Sequence, residues 1–70
     1  MRLTTRQLQA VEAYFVAGSS KGAARQLGIS WHTVNKHLAD VRERLGVATT
    51  DEAIHVLATR GEIVPTQPGR

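Results

Sequence analysis

The sequence predicts an all-α fold, a single domain of four helices in which the second and third form a helix-turn-helix. Its 70 residues suffice for one small domain. Four segments carry apolar residues at helical spacing, and Ser or Thr precedes each segment while Gly follows it. No segment alternates apolar and polar residues as a strand does. We expect the domain to occupy residues 1–64 and the proline-containing residues 65–70 to form a flexible tail.

The first helix is expected from about Thr5 to Ala17. Thr4 is the candidate N-cap, and Gln7 three residues later completes the pattern of a capping box. One apolar stripe is expected to face the core: Leu8, Val11 and Phe15. The segment Gly18-Ser19-Ser20 interrupts this periodicity and offers a cap for the next helix.

The second helix is short and is expected from about Lys21 to Leu27, with Ser20 as its cap. Its inward residues are expected to be Ala23, Ala24 and Leu27. Gly22 lies in its first turn, where glycine weakens a helix by up to ~1 kcal/mol relative to alanine. Gly28 then provides the turn into the third helix.

The third helix is expected from about Trp31 to Leu45, capped by Ser30 through the amide of Thr33. Ile29 and Val34 have the spacing of a hydrophobic staple around this cap. The expected buried stripe is Val34, His37, Leu38, Val41 and Leu45, with His37 as a hydrogen-bonded core residue. The expected outer face is His32, Asn35, Lys36, Ala39 and Arg42.

The fourth helix begins after Thr49 and ends at Gly61. Glu52 stands three residues after Thr49, so a second capping box is expected. Its inward stripe is expected to be Ala53, Ile54 and Leu57, and Val56 falls outside that stripe.

Composition restricts the possible functions. There is no cysteine, and no apolar run approaches the ~20 residues of a membrane-spanning helix. The start of the chain lacks a signal-peptide pattern, so a cytoplasmic protein without a membrane partner is expected. The net charge is +3. Residues 21–44 hold five basic and two acidic residues, whereas the rest of the chain holds four of each. The whole excess therefore lies on the second and third helices, which favours a polyanionic partner.

The order short helix, Gly turn, capping Ser and second helix is that of a DNA-reading helix-turn-helix. Metal and catalytic interpretations are disfavoured. His32 and His37 lie five positions apart, about 140° around a helix, and do not easily share one ion. Four short helices also leave little room for a cleft. We expect no enzyme activity and no cofactor.

With these elements in place, the sequence resembles the LuxR/GerE-type helix-turn-helix domain, from Leu3 to Ile63. Leu3-Thr4-Thr5-Arg6-Gln7 stands in place of the family's Leu-Thr-x-Arg-Glu opening. The central motif and the segments after it are matched by Ala24, Leu27, Ile29, Ser30, Thr33, Val34, Lys36, His37, Leu45-Gly46-Val47, Thr49, Ala53 and Gly61. The resemblance implies a four-helix domain that binds double-stranded DNA and regulates transcription.

The chain departs from the family pattern at several positions. The two positions of helix one that are acidic in the family are occupied by Gln7 and Gln9. Gly22-Ala23 stands where relatives usually have Glu-Ile, and the linker before helix two is shorter than usual. Asn35 replaces a Lys that commonly touches DNA in relatives, and the charge of Lys36 follows immediately.

The DNA contacts expected from helices two and three are Ser20, Lys21, Ser30, Trp31, His32, Thr33, Asn35, Lys36, Ala39 and Arg42. Asn35 can pair with adenine, and Lys36 can reach guanine or a phosphate; its alternative is an ion pair with Asp40. Trp31 is expected either to pack on the sugar-phosphate backbone or to cover the turn between helices two and three.

A weak homodimer through helix four, stabilised on DNA, is also expected. Val56 lies off the inward stripe, and this helix commonly forms the dimer contact in the family. The expected interface residues are Glu52, Val56 and Thr59. Two alternatives remain open: a module that pairs with a larger regulator through helix four, and a promoter-recognition module like the fourth region of a sigma factor, which would also touch RNA polymerase.

Overall fold

The computed structural model describes residues 3–62, and the expected tail at 65–70 lies outside them. This part of the chain forms four helices: α1 (Thr5–Ala17), α2 (Ser20–Leu27), α3 (Trp31–Leu45) and α4 (Thr50–Arg60). Residues 3–62 contain no strand. The predicted all-α fold with its helix-turn-helix in α2 and α3 is therefore confirmed.

Two helices begin with the capping boxes that the sequence predicts. At α1 the Thr4 hydroxyl accepts a hydrogen bond from the Gln7 amide at 3.1 Å, and the Gln7 side-chain oxygen accepts one from the Thr4 amide at 2.9 Å. At α4 Thr49 and Glu52 make the same reciprocal pair. Each box satisfies backbone donors that the first turn of a helix leaves unpaired, so it fixes where the helix starts.

The expected cap of α2 is wrong by one residue. Ser19, in extended conformation, accepts a hydrogen bond from the Gly22 amide at 3.0 Å, and Ser20 is the first helical residue. A capping serine in this chain accepts a hydrogen bond from the amide three residues later, and for Ser19 this is the amide of Gly22. The Ser20 hydroxyl is therefore not used as the cap.

Gly28 makes the turn between α2 and α3. It has the left-handed backbone conformation, with φ of 70°, and its amide donates to the Ala24 carbonyl at 2.9 Å. The Ile29 amide donates to the same carbonyl at 3.1 Å. Because glycine alone adopts this conformation without a steric penalty from Cβ, the chain leaves α2 sharply and α3 starts only three residues later.

The core lies along the inner face of α3, which packs against all three other helices. Its central residues are almost completely buried: Val34, Leu38 and Val41. They meet Ala23 and Ala24 of α2 and Ala53 and Leu57 of α4 in one apolar cluster. Burying side chains of this size stabilises the fold by about 1.5–3 kcal/mol each. The outward direction of the side chains on the opposite face of α3 follows from this packing.

The buried stripe of α1 differs from the expected one. Val11 is buried as predicted, but Leu8 is only partly buried and Phe15 lies outside the apolar cluster. Ala10 and Ala13 are buried instead, together with the Gln7 side chain used in the capping box. The small alanines face the core because α1 packs against α2, α3 and α4, and small side chains allow close helix packing.

Two further expectations concern His37 and Gly22. His37 is only half-buried, and its side chain makes no hydrogen bond within residues 3–62, so it is not the hydrogen-bonded core residue expected.

At Gly22 an added Cβ would lie 2.8 Å from the Ala17 Cβ and 3.1 Å from the Ser19 hydroxyl oxygen. The start of α2 therefore approaches the end of α1 too closely for a side chain at position 22.

Candidate nucleic-acid interface

The face of α3 opposite the core is exposed and polar. His32, Lys36 and Ala39 are exposed and Asn35 is half-buried. Residues at this spacing lie along one side of a helix. Because Val34, Leu38 and Val41 anchor the other side, these four side chains are held in a fixed order on the outer surface. The structure thus brings together four of the expected contact residues.

The Lys36 side chain is available for an external partner. Lys36 is exposed, and within the described residues it makes no ion pair with Asp40, the carboxylate one turn onward. The intrahelical pair considered from the sequence is therefore absent. Even where it forms, such a pair is worth only about 0.2–0.5 kcal/mol.

Ser30 and Thr33 form the start of α3. The Thr33 amide donates to the Ser30 hydroxyl oxygen at 3.1 Å, and the two side-chain hydroxyls are hydrogen-bonded at 2.9 Å. Both residues are exposed. Ile29 packs against the apolar cluster next to this cap, in agreement with the predicted staple onto Val34. The cap orders the first turn of α3, which presents Trp31 and His32.

Trp31 contacts α2 across the helix-turn-helix. The Lys21 ammonium nitrogen lies 5.6 Å from the centre of the indole ring, a cation–π distance. The His32 ring centre lies 5.2 Å from that of Trp31, with the planes tilted by 45°. The indole nevertheless remains 44% exposed. The indole thus contacts a lysine of α2 and stays at the surface, and its packing on a sugar-phosphate backbone remains a prediction.

Arg42 has a partner within the protein. Its guanidinium donates a hydrogen bond to the Thr50 hydroxyl at 3.0 Å, and the residue is half-buried. The bond joins the last turns of α3 to the first turn of α4. Arg42 is therefore engaged within the protein, and its contact with DNA remains a prediction. Glu43, one turn beyond Ala39, is exposed and adds a negative charge at this end.

The outer face of α4 carries a shallow depression of about 390 Å³, lined by Val47, Asp51, Glu52, His55 and Val56. Two of the three expected dimer residues line it. Val56 is half-buried, and the Glu52 carboxylate accepts hydrogen bonds from the Ala48 and Thr49 amides at 2.9 and 3.2 Å. Thr59, the third, is exposed on the same helix but does not line the depression.

Residues 3–62 show no group of three or more acidic or histidine side chains placed to hold a metal ion. None of the helices among these residues is long and apolar enough to cross a membrane.

The Gly28 turn and the buried side of α3 define a helix-turn-helix domain, whose second helix presents Asn35 and Lys36 on its outer face. The family model described as "Bacterial regulatory proteins, luxR family" (GerE) matches residues 1–57, and the chain belongs to this family. The resemblance seen in the sequence is thereby confirmed, and the chain is a DNA-binding domain of the kind that regulates transcription. No curated protein and no solved structure gives a significant match.

The Arg42–Thr50 hydrogen bond is expected to stabilise the packing of α3 on α4. Arg42→Met and Thr50→Val each remove one partner while keeping similar size. Each should lower the free energy of unfolding by about 0.5–1.5 kcal/mol, measured by urea denaturation. The double variant should lose no more than the larger single loss, because both changes remove the same bond.

Thr59→Val is the matched control, because Thr59 is an exposed threonine of the same helix whose side chain makes no hydrogen bond within residues 3–62. It should change stability by less than ~0.5 kcal/mol. If Arg42→Met destabilises the protein while Thr50→Val does not, the contribution of Arg42 comes from its charge or from other contacts of its guanidinium and not from this bond.

Proposed function

We propose that this domain binds double-stranded DNA sequence-specifically, with α3 in the major groove. The observation that carries the proposal is the outer face of α3, where Asn35 and the unpaired Lys36 lie beside the small Ala39. An asparagine amide can pair bidentately with adenine, and a lysine can reach guanine or phosphate. A small residue beside them lets the helix approach the floor of the groove.

In this arrangement α2 crosses the phosphate backbone. Ser20 and Lys21, in its first turn, contact phosphate, as do Ser30 and Thr33 at the start of α3. Trp31 and His32 lie at the edge of the groove next to Lys21. Arg42 contributes chiefly through its bond to Thr50 and contacts DNA only at the border of the face. These contacts and the charge of Lys36 position the domain, whereas Asn35 reads a base.

The proposal predicts DNA binding that weakens strongly with salt. If about four to six phosphates are neutralised, log K against log salt should fall with a slope of roughly −4 to −5 per domain. Fluorescence anisotropy of a labelled duplex over a salt series measures this slope. A chain that binds no duplex at low salt would instead support a role in pairing with a larger regulator through α4.

Asn35 and Lys36 are expected to act differently. Asn35→Ala should cost about 1–3 kcal/mol at one base position of the selected operator and little on nonspecific duplex. Lys36→Ala should weaken binding to both duplexes and make the salt slope shallower by about 1. Binding sites selected from a random duplex pool supply the specific duplex. Equal losses on the two duplexes for Asn35→Ala would mean that Asn35 reads no base.

We further propose that two copies meet through α4 on DNA. Glu52, Val56 and Thr59 recur at helical spacing, and Val56 lies in the depression of the α4 surface. One short helix offers less than the ~1,200 Å² of a stable interface, so the free protein should be monomeric at micromolar concentration. Adjacent half-sites would raise the effective concentration of the second copy. The operator is then an inverted repeat with half-sites about one helical turn apart.

Val56→Glu should abolish cooperative occupation of a paired site, because two carboxylates would meet in the proposed contact. Folding and binding to a single half-site should remain, since Val56 is not part of the buried core. Val16→Glu places the same charge on an exposed valine of α1 and should leave cooperativity intact. Electrophoretic mobility shifts on one-site and two-site duplexes measure both. Persistent cooperativity in Val56→Glu would place the contact elsewhere.

A further inference from the structure

We propose that Trp31 is a positioning residue for DNA binding: its indole holds the Lys21 ammonium of α2 in place for a phosphate. The inference rests on the proposed DNA-binding function and assigns Trp31 a role other than direct contact. It starts from the contact between Lys21 and Trp31, which lie ten residues apart in the sequence. This contact joins the first turn of α2 to the first turn of α3.

The indole is exposed at a place where the fold does not need it. Trp31 is 44% exposed and lies outside the apolar cluster, so its large ring adds little to the core. It is also the only tryptophan of the chain. Two polar or charged groups lie close to the ring, namely the Lys21 ammonium at 5.6 Å and the His32 ring at 5.2 Å. Its surroundings suit a ring whose face attracts a cation.

Among residues 3–62, no anion competes for Lys21. Within residues 3–62 it makes no ion pair, α2 contains no acidic residue, and the first turn of α3 contains none either. A lysine side chain loses considerable rotamer entropy when it is fixed by a ligand. The ring restricts the ammonium beforehand, so less entropy remains to be lost when a phosphate binds.

The ring does not consume the hydrogen-bonding capacity of the ammonium. A cation–π contact is an attraction to the ring face and uses none of the three N–H donors in a conventional hydrogen bond. Lys21 can therefore touch the indole and a phosphate at the same time. A carboxylate in place of the ring would neutralise the charge that the phosphate needs. The arrangement thus favours a polyanion that arrives at the starts of α2 and α3 together.

The test is a double-mutant cycle on DNA affinity with the full chain, using the selected operator. Lys21→Met and Trp31→Leu should each weaken binding, Trp31→Leu by about two- to fivefold, the range of an exposed cation–π contact. In the Lys21→Met background Trp31→Leu should cause no further loss. Trp31→Phe should retain more affinity than Trp31→Leu, because phenylalanine keeps a weaker ring face.

Lys36→Met is the matched control, since Lys36 is an exposed lysine of the same surface without a ring partner. The loss of affinity in Lys36→Met should add to that in Trp31→Leu.

A second measurement of the Lys21–Trp31 contact needs no DNA. In the free protein the ε-methylene protons of Lys21 should show an upfield ring-current shift in the NMR spectrum, and Trp31→Leu should abolish it while the amide spectrum remains that of a folded domain.

The outcomes separate this inference from the proposed function. A wild-type chain that binds no duplex overturns the proposed function itself. If the wild type binds but Trp31→Leu costs the same factor with and without Lys21, the indole contacts DNA on its own account, and only the positioning role is overturned. The same holds if Trp31→Leu leaves affinity unchanged, or if the Lys21 protons show no ring-current shift.

Discussion

The burial of one side of α3 is the constraint on which the rest of the molecule depends. Val34, Leu38 and Val41 are enclosed by the three other helices, so α3 has no freedom to rotate about its axis without exposing apolar surface. The exposed residues on the opposite side are therefore presented in a fixed direction. Within residues 3–62, α2 and α4 do not pack against each other, and each meets the core through α1 and α3.

This arrangement gives the domain two separate working surfaces. The starts of α2 and α3 and the outer face of α3 present the polar and basic residues proposed to meet DNA, and the outer side of α4 presents the depression around Val56. The hydrogen bond from Arg42 to Thr50 is a direct polar link between the two helices that carry these surfaces. A domain of this size therefore keeps the spacing between its proposed DNA face and its proposed dimer face through short and local contacts.

The sequence predicted the helices well because the signals that mark where each helix begins and ends are local. Thr4 and Thr49 with their glutamine and glutamate partners fixed two helix starts, and Gly28 fixed the turn. The start of α2 was placed one residue late because two adjacent serines offered equivalent caps. The core side of α1 was less predictable, since alanines carry a weak apolar signal and Phe15 a strong one. The contacts of Trp31 and Arg42 join different helices, and only the packing of those helices defines them.

The approach of Gly22 to Ala17 has a consequence for sequence variation among relatives. With 2.8 Å available for a Cβ at position 22, the sizes of these two residues and the length of the linker between them are not independent. A relative that carries a larger residue at position 22 has to hold α1 and α2 farther apart, and a longer linker is one way to do so. We therefore expect linker length and residue size at positions 17 and 22 to co-vary among relatives. Relatives with glycine at position 22 should have a short linker and a closely packed α1 and α2.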